Sequence, residues 1–362
     1  MRYLSLFSGV GGFEKGIIQA YETIRNTNVS KIGGRQETSA RKLQEDGQGL
    51  HSIPEQTAIS SKNRNNELPD RSIDERQPNC IGFSEIDKYA TKIYQQHFPE
   101  HKNYGDIKLI NESDLPDFDL LVGGFPCQSF SIAGKRGGFE DTRGTLFFDI
   151  ARILQAKKPR LFCLENVKGL LSHDNGQTFK TIISTLDELG YDIQWQVLNS
   201  KNFGVPQNRE RVFIIGHLRG TSRPQVFPFG EANDSSIKVH SRGKHQQDIV
   251  YKTDGIMTSL PAGTHASTPH LTKILQLNKS KHSNDRIYGK EEIRQQFIPE
   301  DSKIRRLTPT ECARLQGFPD NWHKIEGISD SRAYKCYGNA VTVNVIQAIM
   351  NFLSLKHIEE KV

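Results

Sequence analysis

The sequence predicts an α/β protein: a doubly wound, mostly parallel sheet with helices on both faces and a second, smaller domain. Three observations point there. Over the first 217 residues, short continuous apolar runs alternate with helix-like stretches, as in a parallel sheet covered by helices. From about Leu218 to Ile304 that rhythm stops, and the chain is rich in Ser, Thr, His, Lys and Arg without a sustained period. Order returns at Arg305. The 362 residues suffice for about two domains and a stable core. The expected boundaries are 1–217 for the sheet domain, 218–329 for the smaller one, and 330–362 for a segment returning to the first.

The elements follow in order. Arg2–Phe7 reads as a strand, Ser8–Gly12 as a turn and Phe13–Tyr21 as a helix. Asn26–Asn79 breaks the pattern: it has no aromatic residue, and its Lys/Arg and Asp/Glu balance at 8 each, so it is expected to be a long mobile insertion. Cys80–Ser84 is the next strand and Lys88–His97 a helix; Leu120–Gly123 is a strand and Leu146–Leu154 a helix. Leu161–Leu164 is followed by the helix Phe179–Leu189, and Trp195–Leu198 and Val212–Ile215 complete the strand-like runs. At Thr308-Pro-Thr-Glu311 a helix begins: Thr308 caps it, Pro309 suits its first turn, and Glu311 closes a capping box. Gly317 and Pro319 stop that helix, and Val341–Leu355 reads as a final amphipathic helix.

Composition excludes several classes. The apolar fraction is 35% and the mean hydropathy −0.59. No run approaches the roughly 18 apolar residues of a membrane span. The first residues do not make a signal peptide, because Ser5 and Ser8 interrupt the apolar run and Glu14 and Lys15 follow. Five scattered cysteines without a Cys-x-x-Cys argue against a disulfide framework or zinc cage and for a reducing compartment.

Two local signals carry chemistry. Phe7-Ser-Gly-Val-Gly-Gly-Phe13 joins a strand to a helix, where glycines let a ligand approach backbone N–H groups at a helix start. Its spacing is not that of a dinucleotide fingerprint. Glu85, just past the second strand, suits ribose hydroxyls, and Asp106 in Gly105-Asp-Ile107 suits an adenine amino group. The second signal is Asp119-Leu-Leu-Val-Gly-Gly-Phe-Pro-Cys127-Gln-Ser-Phe-Ser131. A buried strand ends in Gly-Gly, and Pro126 then presents Cys127 at the carboxyl edge of the sheet, where ligands bind in open α/β folds. Cys163, inside an apolar run, and Cys312, on the capped helix, read as packing.

Taken in order, these segments resemble the DNA (cytosine-5)-methyltransferase family, of the bacterial and archaeal restriction-modification type. The matches are Phe7–Gly12, Glu85, Gly105-Asp-Ile107, Phe125-Pro-Cys-Gln-Ser129, Leu164-Glu-Asn-Val167, Gln207-Asn-Arg-Glu-Arg211, Arg306–Pro319 and Tyr337-Gly-Asn-Ala-Val341. The Asn26–Asn79 insertion and the compact Leu218–Ile304 segment depart from the pattern. The resemblance implies a seven-stranded Rossmann-like methyltransferase sheet and a smaller target-recognition domain. It implies methyl transfer from S-adenosylmethionine to carbon 5 of a flipped cytosine in a specific duplex sequence, with S-adenosylhomocysteine as product and no metal. Related enzymes of the same fold act on tRNA; the long basic variable segment favours DNA.

The resemblance also assigns residues. Cytosine carbon 5 is a poor nucleophile, and a thiolate added at carbon 6 turns the ring into an enamine that can attack a methyl. Cys127 is the expected thiolate and Glu165 the acid at ring nitrogen 3. Arg211 is aimed at the ring oxygen, and Arg209 at Glu165 or the substrate. Phe7, Gly9, Gly11, Glu85, Ile86, Asp106, Ile107, Pro126, Leu146, Asn339 and Val341 are the cofactor set, with Asn339-Ala-Val341 folding back beside the glycine turn. Gln128, Ser131, Lys135, Arg136, Arg143, Asn166 and Gln207 are the DNA set, with Ser131–Arg143 as a loop closing over the flipped base. The implied setting is a cytoplasmic, nucleoid-associated monomer acting beside a cognate endonuclease without stable binding, away from membranes.

Charge sharpens this picture. Lys plus Arg number 48 and Asp plus Glu 42, a net +6. Residues 218–307 hold 15 basic and 9 acidic side chains, and the remainder 33 of each, so the whole excess falls on the variable segment. That is where phosphates would be neutralised.

Overall fold

The computed structural model describes residues 1–26, 77–126, 146–221, 224–227, 229, 239–241, 250–252, 257–258, 273–277 and 302–359. Most of the insertion, together with Cys127, Gln128, Ser131, Lys135, Arg136 and Arg143, lies outside the described residues.

The main sheet is built on β1 (Arg2–Leu6), which the helix α1 (12–26) follows. Next come β2 (Asn79–Ser84) and α2 (Lys88–His97), then β3 (Leu120–Gly124) and α3 (Leu146–Lys157). They are followed by β4 (Leu161–Val167), α4 (Gln177–Glu188), β5 (Tyr191–Asn199), the short β6 (Gln207–Asn208) and β7 (Glu210–Leu218). The strand order is β2-β1-β3-β4-β7-β5. β2, β1, β3 and β4 pair in parallel, while β7 runs antiparallel between β4 and β5. The order reverses between β1 and β3, which opens a crevice at the carboxyl ends of those strands.

Alternating side chains give the sheet two apolar faces. Leu4, Leu6, Leu121, Phe162, Leu164, Val212 and Ile214 join one core with Ile150 and Leu154 of α3 and Ile182 and Leu186 of α4. Tyr3, Leu120, Val122, Leu161, Cys163, Phe213 and Ile215 face the other side, against Phe13 and Ile17 of α1. The final helix α7 (Val343–Glu359) adds Val345, Ile346, Ile349 and Met350 to that second face. The C-terminal helix thus packs on the sheet.

One expectation is corrected. The described sheet has six strands rather than seven. Beyond the edge strand β5, the main chain of Pro224, Val226 and Phe229 is bonded to side chains of β5. Gln194 Nε2 donates to the Pro224 carbonyl (3.1 Å), and Gln194 Oε1 accepts from Val226 N (2.9 Å). Gln196 Nε2 donates to the Phe229 carbonyl (3.2 Å), and Gln196 Oε1 accepts from Phe229 N (2.9 Å). Residues 307–322, grouped by sequence with the small domain, pack against β2 and α2. α5 (Pro309–Leu315) carries the predicted capping box, and Leu307, Cys312, Leu315, Phe318 and Trp322 pack with Phe83 of β2 and Ala90, Ile93 and Tyr94 of α2. α6 (Asp330–Asn339) joins the same core through Ala333, Cys336 and Tyr337.

Within the variable segment, β8 (Val239–Ser241), β9 (Val250–Lys252), β11 (Lys273–Leu277) and β12 (Ser302–Arg306) form a separate sheet in the order β12-β11-β9-β8. β10 (Met257–Thr258) pairs with β6. Among the described residues no helix is long and apolar enough to cross a membrane.

Candidate active site

The glycine turn leaves β1 at the switch point. Phe7, Gly9 and Gly11 have φ of 53°, 56° and 91°, in the left-handed region that is costly for a bulky residue such as Phe7. The turn is held from outside. Ser8 N–H donates to the Ser84 carbonyl (3.3 Å), and Gly9 N–H donates to Glu85 Oε2 (2.9 Å). Glu85 Oε1 accepts from Ile86 N (2.9 Å) and Asp87 N (2.8 Å). Burial nonetheless leaves the Glu85 carboxyl above its ordinary pKa, outweighing those three N–H donors.

Ile86, beside Glu85, is 74% exposed, an uncovered apolar side chain at the carboxyl edge. Asp106 caps a short helical turn by accepting from Lys108 N (3.0 Å). Leu146 opens α3, partly buried against the same core as Phe7. Val341 lies against Gly12, where an added Cβ would meet its Cγ1 at 2.7 Å. The segment 339–341 thus folds back beside the turn, with Asn339 exposed. Pro126 is exposed as well. Ile107 is different: its side chain is 2% exposed and belongs to the core.

The second half of the site is made by strand register. Gly124 at the end of β3 pairs with Glu165 of β4, and Val167 pairs with Arg211 at the start of the antiparallel β7. Glu165 and Arg211 are diagonal neighbours on one face, and Arg211 Nε sits 2.9 Å from Glu165 Oε1. Arg211 Nη1 also donates to the Glu210 carbonyl (2.8 Å). Glu165 Oε2 lies 3.1 Å from the position a Cβ on Gly124 would take. The glycine therefore clears space for the carboxylate at the end of β3, three residues before Cys127 in the sequence. Sequence reading missed this role, because only the β3–β4 register sets Gly124 beside Glu165.

Three other predicted residues sit inside the fold. Arg209 is 2% exposed, and its guanidinium donates to the carbonyls of Gly338 (3.2 Å) and Ala340 (2.9 Å), with the Glu165 charge near enough to act on it. Burial and the neighbouring Arg211 charge lower its pKa to about 9. Gln207, expected on DNA, is fully buried and donates to the Leu315 carbonyl (3.0 Å). Asn166, also expected on DNA, is 2% exposed and donates to the Phe125 carbonyl (2.9 Å), two residues before Cys127. These side chains tie the strands and the returning segment together from within.

Cys80, Cys163, Cys312 and Cys336 each have their thiol pushed up to about 12, burial being the largest cause. All four are protonated at neutral pH, in keeping with the packing roles read for Cys163 and Cys312.

A mixed six-stranded α/β sheet with its crevice at the switch point, edged by a glycine turn and a carboxylate–arginine pair, is a Rossmann-like methyltransferase fold. Residues 70–354 match the family model for C-5 cytosine-specific DNA methylases. The chain is 43% identical over 288 residues to the type II methyltransferase M1.ScrFI of Lactococcus lactis subsp. cremoris, covering 74% of this chain and 69% of that one. It is 38% identical over 288 residues to M.HhaI of Haemophilus parahaemolyticus, covering 75% and 86%. The solved structure of the S. pombe Dnmt2 methyltransferase superposes with a TM-score of 0.62 over 99% of both chains at 19% identity, a likeness of fold. The chain belongs to the C-5 cytosine-specific DNA methylase family and is a DNA (cytosine-5-)-methyltransferase. Membership in a methyltransferase family implies use of S-adenosylmethionine.

Proposed function

We propose that this enzyme methylates a flipped cytosine through a covalent Cys127 adduct, as the modification enzyme of a restriction-modification system. The observation that carries the reading is the Glu165–Arg211 pair at the carboxyl edge, laid beside Gly124 on the strand that leads to Cys127. The Cys127 thiolate adds to carbon 6, and the displaced electron pair moves to ring nitrogen 3, where Glu165 delivers a proton. Arg211 fixes the Glu165 carboxyl through Oε1, leaving Oε2 toward the end of β3, and lies close enough to serve the ring oxygen as well. Carbon 5 takes the methyl that S-adenosylmethionine supplies when bound, and S-adenosylhomocysteine leaves. The nitrogen 3 proton returns to Glu165, and loss of the carbon 5 proton to a base then expels the Cys127 thiolate and restores the neutral aromatic ring.

The residues present fit the methyl donor. Exposed Ile86 suits an adenine face, Glu85 and Asp106 suit its sugar and amino groups, and the Phe7–Gly11 turn offers backbone N–H groups. Leu146, Pro126, Asn339 and Val341 complete the set. The basic excess of 218–307 supports target recognition by that segment. The target cytosine leaves the stack at a cost of a few kcal/mol, and Gln128, Ser131, Lys135, Arg136 and Arg143 close over it. The enzyme works as a cytoplasmic, nucleoid-associated monomer beside a separate endonuclease.

Cys127→Ser tests the covalent step. Transfer of labelled methyl to duplex DNA should fall to background while duplex binding, followed by gel shift, is retained. Turnover at the parent rate would refute the mechanism, and label entering tRNA in place of DNA would overturn the substrate.

A further inference from the structure

The peptide unit joining Val10 to Gly11 is pinned at both ends. Its N–H, on Gly11, donates to the Ser8 carbonyl at 3.0 Å. Its carbonyl, on Val10, accepts from the indole Nε1 of Trp322 at 2.9 Å. Trp322 lies 312 residues further along the chain and is 8% exposed. Its own ring is fixed. The His97 ring stacks on it at 3.4 Å and 8°, His97 Nε2 donates to the Trp322 carbonyl (2.7 Å), and the rings of Phe318 and Phe98 border it at 5.5 and 6.0 Å. Phe98 also presses on Gly11, where an added Cβ would meet Cε2 at 2.6 Å.

A phenyl ring would fill much of this aromatic cage. The indole N–H is the part that reaches the turn, and it reaches the one peptide whose plane orients both Val10 and Gly11. The turn needs such a hold, because Phe7, Gly9 and Gly11 all sit at positive φ and the local backbone has little preference of its own for that path. Without the indole donor, the buried Val10 carbonyl loses its partner, and turning the peptide toward another donor would redirect the N–H groups beside it.

We propose that Trp322 is a positioning residue for the methyl-donor site. Its indole N–H fixes the glycine turn in the form that receives S-adenosylmethionine. It does so from the stretch by which the chain returns from the variable segment. The inference rests on assigning that turn to the cofactor.

Trp322→Phe keeps a ring and deletes the donor. The Kd for S-adenosylhomocysteine and the KM for S-adenosylmethionine should rise about tenfold. The KM for duplex DNA, and kcat at saturating cofactor, should stay within about twofold. Phe7→Ala controls the assignment: if it binds S-adenosylhomocysteine as the parent does, the cofactor assignment fails. If Phe7→Ala loses binding while a folded Trp322→Phe binds within about twofold of the parent, or loses kcat with its cofactor affinity intact, the Trp322 inference is overturned. The chain has two tryptophans, so Trp195→Phe leaves Trp322 as the sole emitter. Its emission should shift as S-adenosylhomocysteine binds, and a flat signal across a calorimetrically verified titration overturns the inference even if Trp322→Phe does not fold.

Discussion

Glu14 shows how a single side chain can set a pH dependence. It follows the glycine turn on α1, is fully buried, and has neither carboxylate oxygen in a hydrogen bond of ordinary geometry. Burial raises its pKa from 4.5 to about 7, against smaller opposing contributions from Ser5, its own backbone and Tyr94. Tyr3, Cys80 and Tyr94 beside it are also pushed up by burial, so no cation offsets the charge from there. The folded state therefore holds more protons than the unfolded chain between pH 4.5 and about 7. Stability from this group is greatest below that window, declines as pH rises through it, and stays reduced above. Glu14→Gln should raise stability at pH 8 by about 1–3 kcal/mol and change it little at pH 5, measured by denaturant unfolding at both values. Nothing in the sequence flags this residue: a glutamate on a helix reads as solvated, and only the packing of β1, β2 and α2 around it shows otherwise. The burial of Arg209 is hidden in the sequence for the same reason. Two arginines alternating along a strand look equivalent, yet one pairs with Glu165 and the other is enclosed by the carbonyls of Gly338 and Ala340.

At the scale of elements, strand pairing does what chain proximity cannot. Gly124, Glu165 and Arg211 come from three strands and meet because β3 and β4 run parallel and β7 runs back. Gly124→Ala tests that register. Its methyl would sit 3.1 Å from Glu165 Oε2 and displace the carboxylate from the end of β3. With the Arg211 pair left to reform off position, kcat should fall up to about 10²-fold with the thermal midpoint nearly unchanged. Retained kcat in steady-state assays would mean that Glu165 does not work from that position. Most elements were legible in the sequence. The continuous apolar runs of β1, β3 and β4 and the Thr308 capping box specify themselves locally. Boundaries drifted where tertiary contacts extend an element: β5 begins at Tyr191 rather than Trp195, because its ladder with β7 continues to Leu218. The contact beside β5 was not readable either, since two glutamine side chains bond the main chain of Pro224, Val226 and Phe229 there.

For the whole molecule, the decisive quantity is where the charge lies. The net +6 is confined to residues 218–307, and the rest of the chain is balanced. Duplex affinity should therefore fall steeply with salt, by a logarithmic slope of about 0.9 for each phosphate neutralised. Charge-removing substitutions within 218–307 should flatten that slope, while equal numbers elsewhere leave it unchanged. Fluorescence anisotropy across a salt series would read both, and a slope indifferent to the segment would sink its assignment to DNA. The broken rhythm of the sequence sets off the variable segment. The point of return was not visible there, because Leu307–Trp322 carries no mark in its own pattern of the β2–α2 surface it covers.

The glutamine clamp on β5 bears on how specificity can be exchanged between enzymes of this kind. Gln194 and Gln196 grip main-chain groups of Pro224, Val226 and Phe229, while Val226, Phe227 and Phe229 pack on the second face of the sheet. At the far end, the chain re-enters the main core at Leu307. A foreign module grafted after Phe229 and closed before Leu307 would inherit both anchorages and leave the six-stranded sheet untouched. The fold thus has natural splice points, one held by amides and the other by a hydrophobic seat.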